Sequence, residues 1–201
     1  MSPRYDAEWI GNMLDTDNRL GGLPPSEFLK SAGLSRGDTV VDVGCGPGFM
    51  TLPAAELVGP TGRVYAVDIE RRMLELVDRR AAEAGLGNVT TVFNAGDGIA
   101  VPDCVADLAL CGLVLHYFPD EAGRESLVRD IGRMMRSGGR CLFIEHVPQP
   151  ADDPKERMNP EAMTNLLERA GFETGEPRDL IERQYLLIAT KKAATRSVVE
   201  E

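Results

Sequence analysis

Apolar and polar positions along the chain alternate between two patterns. Short Val-rich runs are followed by longer stretches whose apolar residues recur at helical spacing. Residues 38–44 (DTVVDVG) form the first run, a predicted buried strand that ends at a glycine. Residues 49–59 read as a helix with Pro53 in its first turn, and residues 62–69 as a second strand. Residues 70–86 place Ile69, Met73, Val77, Ala81 and Ala84 on one helical stripe, which Gly85 stops. A third strand is expected within 88–98 and a fourth within 105–115. Residues 119–139 read as a helix with Leu127, Ile131, Met134 and Met135 on its apolar side, closed by Gly138 and Gly139. Residues 140–146 give a fifth strand. Residues 159–172 give a helix with Asn159 at its N-cap and Pro160 at its first position. Two further strands, 172–180 and 184–192, follow with no helix between them, so one of them should run antiparallel. Strands alternating with helices predict an α/β fold with a mainly parallel sheet covered on both faces.

Composition narrows the class. The 201 residues, 43% of them hydrophobic, suit one domain with a sizeable core. The formal net charge of −10 argues against a broad basic face for nucleic acid or an anionic membrane. Four cysteines, Cys45, Cys104, Cys111 and Cys141, show no C-x-x-C spacing and read as reduced thiols, with no metal site expected. Nothing at the start resembles a signal peptide, and no apolar run has bilayer length. The expectation is a cytoplasmic protein, a monomer or a homodimer.

The chemistry starts at VVDVGCGPGFMT, residues 40–51. Asp42 lies inside the strand, and Gly44, Gly46 and Gly48 follow it at a strand-to-helix turn. In an open parallel sheet, ligands bind beyond the carboxyl ends of strands near such a turn. Asp68 ends the next strand about 20 residues later, where an acid meets ribose hydroxyls in nucleoside-binding folds. An NAD fingerprint would need a glycine where Phe49 stands, and Asp42 would put negative charge near a pyrophosphate. No G-x-x-x-x-G-K-[ST] sequence is present for ATP. A ligand with a sulfonium, an ammonium and no phosphate suits this acid-flanked turn better.

Taken in order, VVDVGCGPG, VYAVDIERRML, NAGDG, ADLALCGLVLHYFPD and SGGRCLFIEH resemble the successive motifs of class I S-adenosylmethionine (SAM)-dependent methyltransferases. The nearest flavour is the small-molecule type 11 group, which includes ubiquinone/menaquinone methyltransferase-like enzymes. The resemblance spans about residues 24–192, which leaves 1–23 as an N-terminal arm or lid and 193–201 as a tail. It implies a Rossmann-like seven-stranded sheet in the order 3-2-1-4-5-7-6 with strand 7 antiparallel. It implies SAM as cofactor, with Gly44, Gly46 and Gly48 under its methionine and ribose parts. Asp68 would bind the ribose hydroxyls and Ile69 would pack on adenine. Asp97, between Gly96 and Gly98, would meet the adenine amino edge, and backbone carbonyls near Cys111 and Leu113 would receive the ammonium. Each assignment has a plainer counterpart: Asp42 as a turn-stabilising acid, Asp97 as a capping acid, Ile69 as part of the helix stripe.

Methyl transfer needs a base only where the acceptor must lose a proton. His116 and Tyr117 follow the fourth strand, and Glu145 and His146 end the fifth. His116 is the leading candidate, with Tyr117 beside it; a pocket wall is the other reading. The arm, with Tyr5, Trp9 and Met13, and the loop 147–160 should shape a pocket for a small-molecule acceptor. Two alternatives stay open: a SAM-binding module without catalysis, and an NAD-type oxidoreductase.

Overall fold

The computed structural model describes residues 7–14, 19–96, 98–148 and 157–193. Eight strands form one sheet: β1 (Thr39–Val43), β2 (Arg63–Asp68), β3 (Val89–Phe93), β4 (Ala106–Gly112), β5 (Met135–His146), β6 (Phe172–Thr174), β7 (Arg178–Ile181) and β8 (Gln184–Lys191). The order is β3-β2-β1-β4-β5-β8-β6, with β7 paired to β8 off this path. Strands β1 to β5 pair in parallel, and β8 runs antiparallel to β5, β6 and β7. This is the expected seven-strand order with one strand added. The added strand arises because 172–180, read as one strand, breaks in two. The Gly175 N–H still donates to the Ile188 carbonyl, at 2.9 Å, but Pro177 has no N–H with which to continue the ladder.

Helices α1 (Ala7–Leu14), α2 (Pro25–Ser31), α3 (Thr51–Val58), α4 (Arg71–Glu83), α5 (Glu121–Met134) and α6 (Pro160–Arg169) complete the described elements, with a 3-10 turn at Leu115–Tyr117. Alternation along the strands builds two cores. Val41, Val43, Cys141 and Phe143 face α5 and α6, against Leu127, Ile131, Met163 and Leu167. Val40, Leu108, Leu110 and Leu142 face α2 and α3, against Phe28, Leu29, Ala54 and Val58. Asp42 shares the second face with Val40 because side chains repeat every two residues. An acid therefore points at the start of α3, where apolar packing would otherwise continue.

Two boundaries differ from the pattern. The stripe of α4 keeps Met73, Val77 and Ala81 buried, but Ile69 precedes the helix and is 74% exposed, and Ala84 is exposed. Glu70 caps this helix, so the chain turns one residue after Ile69. Gly138 and Gly139 do not close α5. The helix ends at Met134, Met135 is already extended, and both glycines lie in β5. There the register against β4 shifts between Ala106 and Leu108, and Gly138 takes φ +78°. The glycines serve a bulge, which apolar spacing alone does not distinguish from a helix end. The α6 start follows expectation: the Asn159 side chain accepts from the Ala162 N–H at 2.8 Å, and Pro160 sits at the first position.

Candidate active site

The carboxyl ends of β3, β2, β1 and β4 lie side by side. Val43 is level with both Val67 and Cys111, and Asp68 with Phe93. The glycine turn leaves β1 at this edge and is pinned to β2, because the N–H groups of Gly44 and Cys45 both donate to the Val67 carbonyl, at 2.8 and 3.0 Å. Gly44 has φ +73°, and a Cβ there would lie 2.3 Å from Val114 Cγ2. Glycine is therefore required by both conformation and space. Gly46 and Gly48 also carry positive φ, +52° and +90°. Arg80 of α4 clamps the turn from outside through the Pro47 carbonyl.

Asp68 reaches into the same turn. Its Oδ2 accepts from the Gly46 N–H and its Oδ1 from the Glu70 N–H, each at 2.9 Å. Burial raises its pKa above the usual carboxylate range despite these donors. Asp42, 4% exposed, accepts from the Thr51 hydroxyl at 2.6 Å. Its pKa is raised to about 6, first by burial, then held down by Thr51, pushed up by Asp68 and eased by Arg19. Thus β1, β2 and α3 gather two carboxylates at the turn.

A concave surface above the turn is lined by Asp42, Gly44, Phe49, Cys111, Leu113, Met13 and Arg19, among others. Leu113 holds φ +59°, and its N–H donates to the Ile144 carbonyl at 2.8 Å. A non-glycine residue held in this region signals a constrained strand end. On the other flank, the Asn94 N–H donates to the Asp68 carbonyl at 3.0 Å, and Asn94 Oδ1 accepts from the Gly96 N–H at 2.9 Å. Gly96 and Gly98 both carry positive φ. Asp97 lies outside the described residues, as does Tyr5 of the arm.

The base candidates, read separately in the sequence, form one cluster. Glu145 is 2% exposed, and its Oε2 lies 3.0 Å from His116 Nδ1. The N–H of His116 also reaches Glu145 Oε1, at 3.4 Å, and the His146 N–H reaches Oε2, at 3.3 Å. In the tautomer that donates Nδ1–H to this carboxylate, Nε2 carries the lone pair. Buried Leu115 anchors the 3-10 turn, and Arg124 Nε donates to its carbonyl at 3.3 Å. The His116 ring lies 4.3 Å from that of Tyr117, which is 59% exposed, and 5.4 Å from that of His146. Burial first, then the charges of Arg157 and His116, lowers the His146 pKa.

Three residues that the sequence reading passed over stand at this site. Thr51 is Asp42's partner; a hydroxyl in the first turn of the helix predicted over 49–59, after D-x-G-x-G, was its signal. Arg80 carried none, since helical periodicity places it simply on a polar face. Arg19 belongs to the arm assigned to the acceptor, yet with Met13 it lines the surface beside Asp42. The buried thiols of Cys45, Cys111 and Cys141 have strongly raised pKa values, first because of burial, and stay protonated at neutral pH. Among the described residues, no helix is long and apolar enough to cross a membrane.

A parallel sheet with a glycine turn after β1 and an acid ending β2 defines a Rossmann-like, nucleoside-binding class of domain. Residues 40–139 match the family model of a methyltransferase domain. The chain carries a domain of that family. It is 30% identical over 119 residues to demethylmenaquinone methyltransferase of Anoxybacillus flavithermus, covering 59% of this chain and 49% of the relative. It is 30% identical over 192 residues to arsenite methyltransferase of Halobacterium salinarum, covering 87% of this chain and 47% of the relative. The chain spans about half the length of the curated relatives it matches. Among solved structures, a SAM-dependent methyltransferase from Aquifex aeolicus superposes with a TM-score of 0.78 at 24% identity, over 92% of this chain and 98% of that one. That last likeness is one of fold. The oxidoreductase alternative finds no support in these likenesses.

Proposed function

We propose that the protein is a SAM-dependent methyltransferase acting on a small-molecule acceptor. The observation that carries this reading is the join between Gly46 and Asp68: one carboxylate ties the ribose side of the edge to the glycine turn. The residues fit the cofactor. A Cβ at Gly44 would run into Val114, so only glycine lets the turn close against the chain after β4 while lining this surface. Ile69, exposed beside Asp68, offers an apolar plate for adenine. The acceptors near Cys111 and Leu113, with Asp42 behind them, suit an ammonium. Asp68 would hold the ribose hydroxyls, and the chain at Gly96 and Gly98 would border the base.

When bound, SAM supplies a methyl group on a sulfonium leaving group, ready for in-line displacement. The protein's share is alignment and exclusion of water. His116 Nε2 takes a proton from the acceptor, while Glu145 holds Nδ1–H, fixes the tautomer and stabilises the imidazolium that forms. Tyr117 forms part of the acceptor wall. A neutral hydroxyl of an enol or phenol is the acceptor chemistry such a base serves. The test is formation of S-adenosylhomocysteine from SAM with a panel of phenols, enols, amines and thiols. Turnover on hydroxyl acceptors supports the reading. SAM binding with no turnover on any acceptor supports a non-catalytic module instead.

A further inference from the structure

The two glycines after β3 form a joint whose place is set from outside it. Gly96 and Gly98 carry φ of +102° and +101°. Among the described residues, a Cβ at Gly96 would meet no atom within 4 Å, and one at Gly98 only Asp130 Oδ2, at 3.8 Å. Two such glycines leave the backbone slack unless its ends are tied. Toward β3 the tie is Asn94, whose N–H donates to the Asp68 carbonyl and whose Oδ1 accepts from the Gly96 N–H. On the far side the tie is an ion pair on α5. Asp130 Oδ2 accepts from the Ile99 N–H at 2.5 Å, and its Oδ1 accepts from Arg133 Nε at 2.7 Å. Arg133 Nη2 donates to the Ile99 carbonyl at 2.7 Å, and Nη1 to the Val101 carbonyl at 2.8 Å. One ion pair thus holds both the N–H and the carbonyl of Ile99, whose side chain is buried in the core.

Resting on the methyltransferase reading above, we propose that Asp130 and Arg133 are positioning residues that set how strictly the site reads the donor's nucleobase. They act through the Gly98–Ile99 peptide, on the chain that borders the base, and touch no ligand themselves. Adenine presents a 6-amino donor beside the N1 acceptor. Its deaminated counterpart, hypoxanthine, reverses both, with a 6-oxo acceptor beside an N1–H donor. A slack backbone can re-aim its own N–H and carbonyl groups to suit either edge. A backbone tied at both ends is preorganised for one of them. Helix α5, which lies under the sheet away from the donor, thereby takes part in choosing it.

The test titrates the whole chain by calorimetry with S-adenosylhomocysteine and its deaminated analogue, S-inosylhomocysteine. Wild type is expected to prefer the adenosyl ligand by roughly tenfold to a hundredfold. Asp130→Ala should lose most of that preference, weakening the adenosyl ligand and leaving the inosyl ligand within about twofold. Asp130→Asn keeps an oxygen for the Ile99 N–H and should restore most of the preference. Arg133→Lys can hold fewer of the carbonyls and should fall between, which keeps the test decisive if Asp130→Ala folds poorly. An equal loss for both ligands, with the preference intact in Asp130→Ala or Arg133→Lys, overturns the proposal and leaves the pair a structural clamp. Equal wild-type affinity for the two ligands also overturns it, while the methyltransferase reading stands. Wild type that binds neither overturns that reading, and this proposal falls with it.

Discussion

Glu145 Oε2 lies 3.0 Å from His116 Nδ1, although 29 positions separate the two residues in the chain. The contact joins the 3-10 turn after β4 to the end of β5, adjacent parallel strands. It brings two candidates that lie apart in the chain into one buried contact.

His116→Gln should lower turnover about 10²-fold on an acceptor that must lose a proton, with SAM affinity unchanged. Glu145→Gln should fall between that variant and wild type, because a neutral amide stabilises the imidazolium less. On an acceptor already ionised at the assay pH, neither change should matter. Single-turnover rates across pH separate these outcomes. Equal losses on both acceptor types would make His116 a wall.

Asp68→Ala should weaken both binding and fold. The sequence placed this acid at the ribose. The structure also gives it the Gly46 and Glu70 N–H groups. Leaving those donors unpaired costs about 1–3 kcal/mol of stability, and losing a charged hydrogen bond to a ribose hydroxyl about 1.5–3 kcal/mol of binding. Thermal unfolding beside a SAM titration measures both. Unchanged stability would mean that water replaces the carboxylate at the turn.

Asp42 makes stability fall as pH rises. Its pKa of about 6 when folded lies above the unfolded value of about 3.9. The folded state therefore holds the proton more tightly between those values, and stability declines from pH ~4 to pH ~6, by up to about 3 kcal/mol. Asp42→Asn should flatten this slope and unfold at a higher temperature than wild type at pH 8, with the gap closing near pH 4. Unfolding curves across that range check it. A wild-type curve that rises from pH 4 to 6, with no change in Asp42→Asn, would place the titration elsewhere.

Gly44→Ala should destabilise by more than about 1 kcal/mol, since φ of +73° and a Cβ 2.3 Å from Val114 Cγ2 both oppose it. Gly85→Ala, with φ +69° and no atom within 4 Å, isolates the backbone cost alone. Chemical denaturation of the two variants separates conformation from clash; equal losses would mean that Val114 moves aside.

What the sequence made legible follows from range. The β1 strand, the turn Gly44–Gly48 and Asp68 announce themselves through period and local glycine chemistry, and all meet at one sheet edge. The break between Met134 and Met135 did not, because the apolar stripe runs on through both while a bulge against Ala106 decides the ending. Ile69 fitted a stripe numerically, but Glu70 caps the helix after it. Arg19 meets Met13 and Phe49, and Arg80 the Pro47 carbonyl, through contacts that only folding creates. Asp97 remains a sequence expectation, outside the described residues.

The most direct test of the central claim is a calorimetric titration of the whole chain with SAM, S-adenosylhomocysteine, NADH and ATP. The glycine turn tied to Asp68, with Phe49 where a dinucleotide site needs glycine, predicts saturable binding of the two adenosyl-sulfur ligands and none of the phosphates. Binding of NADH with no heat from SAM would contradict the account.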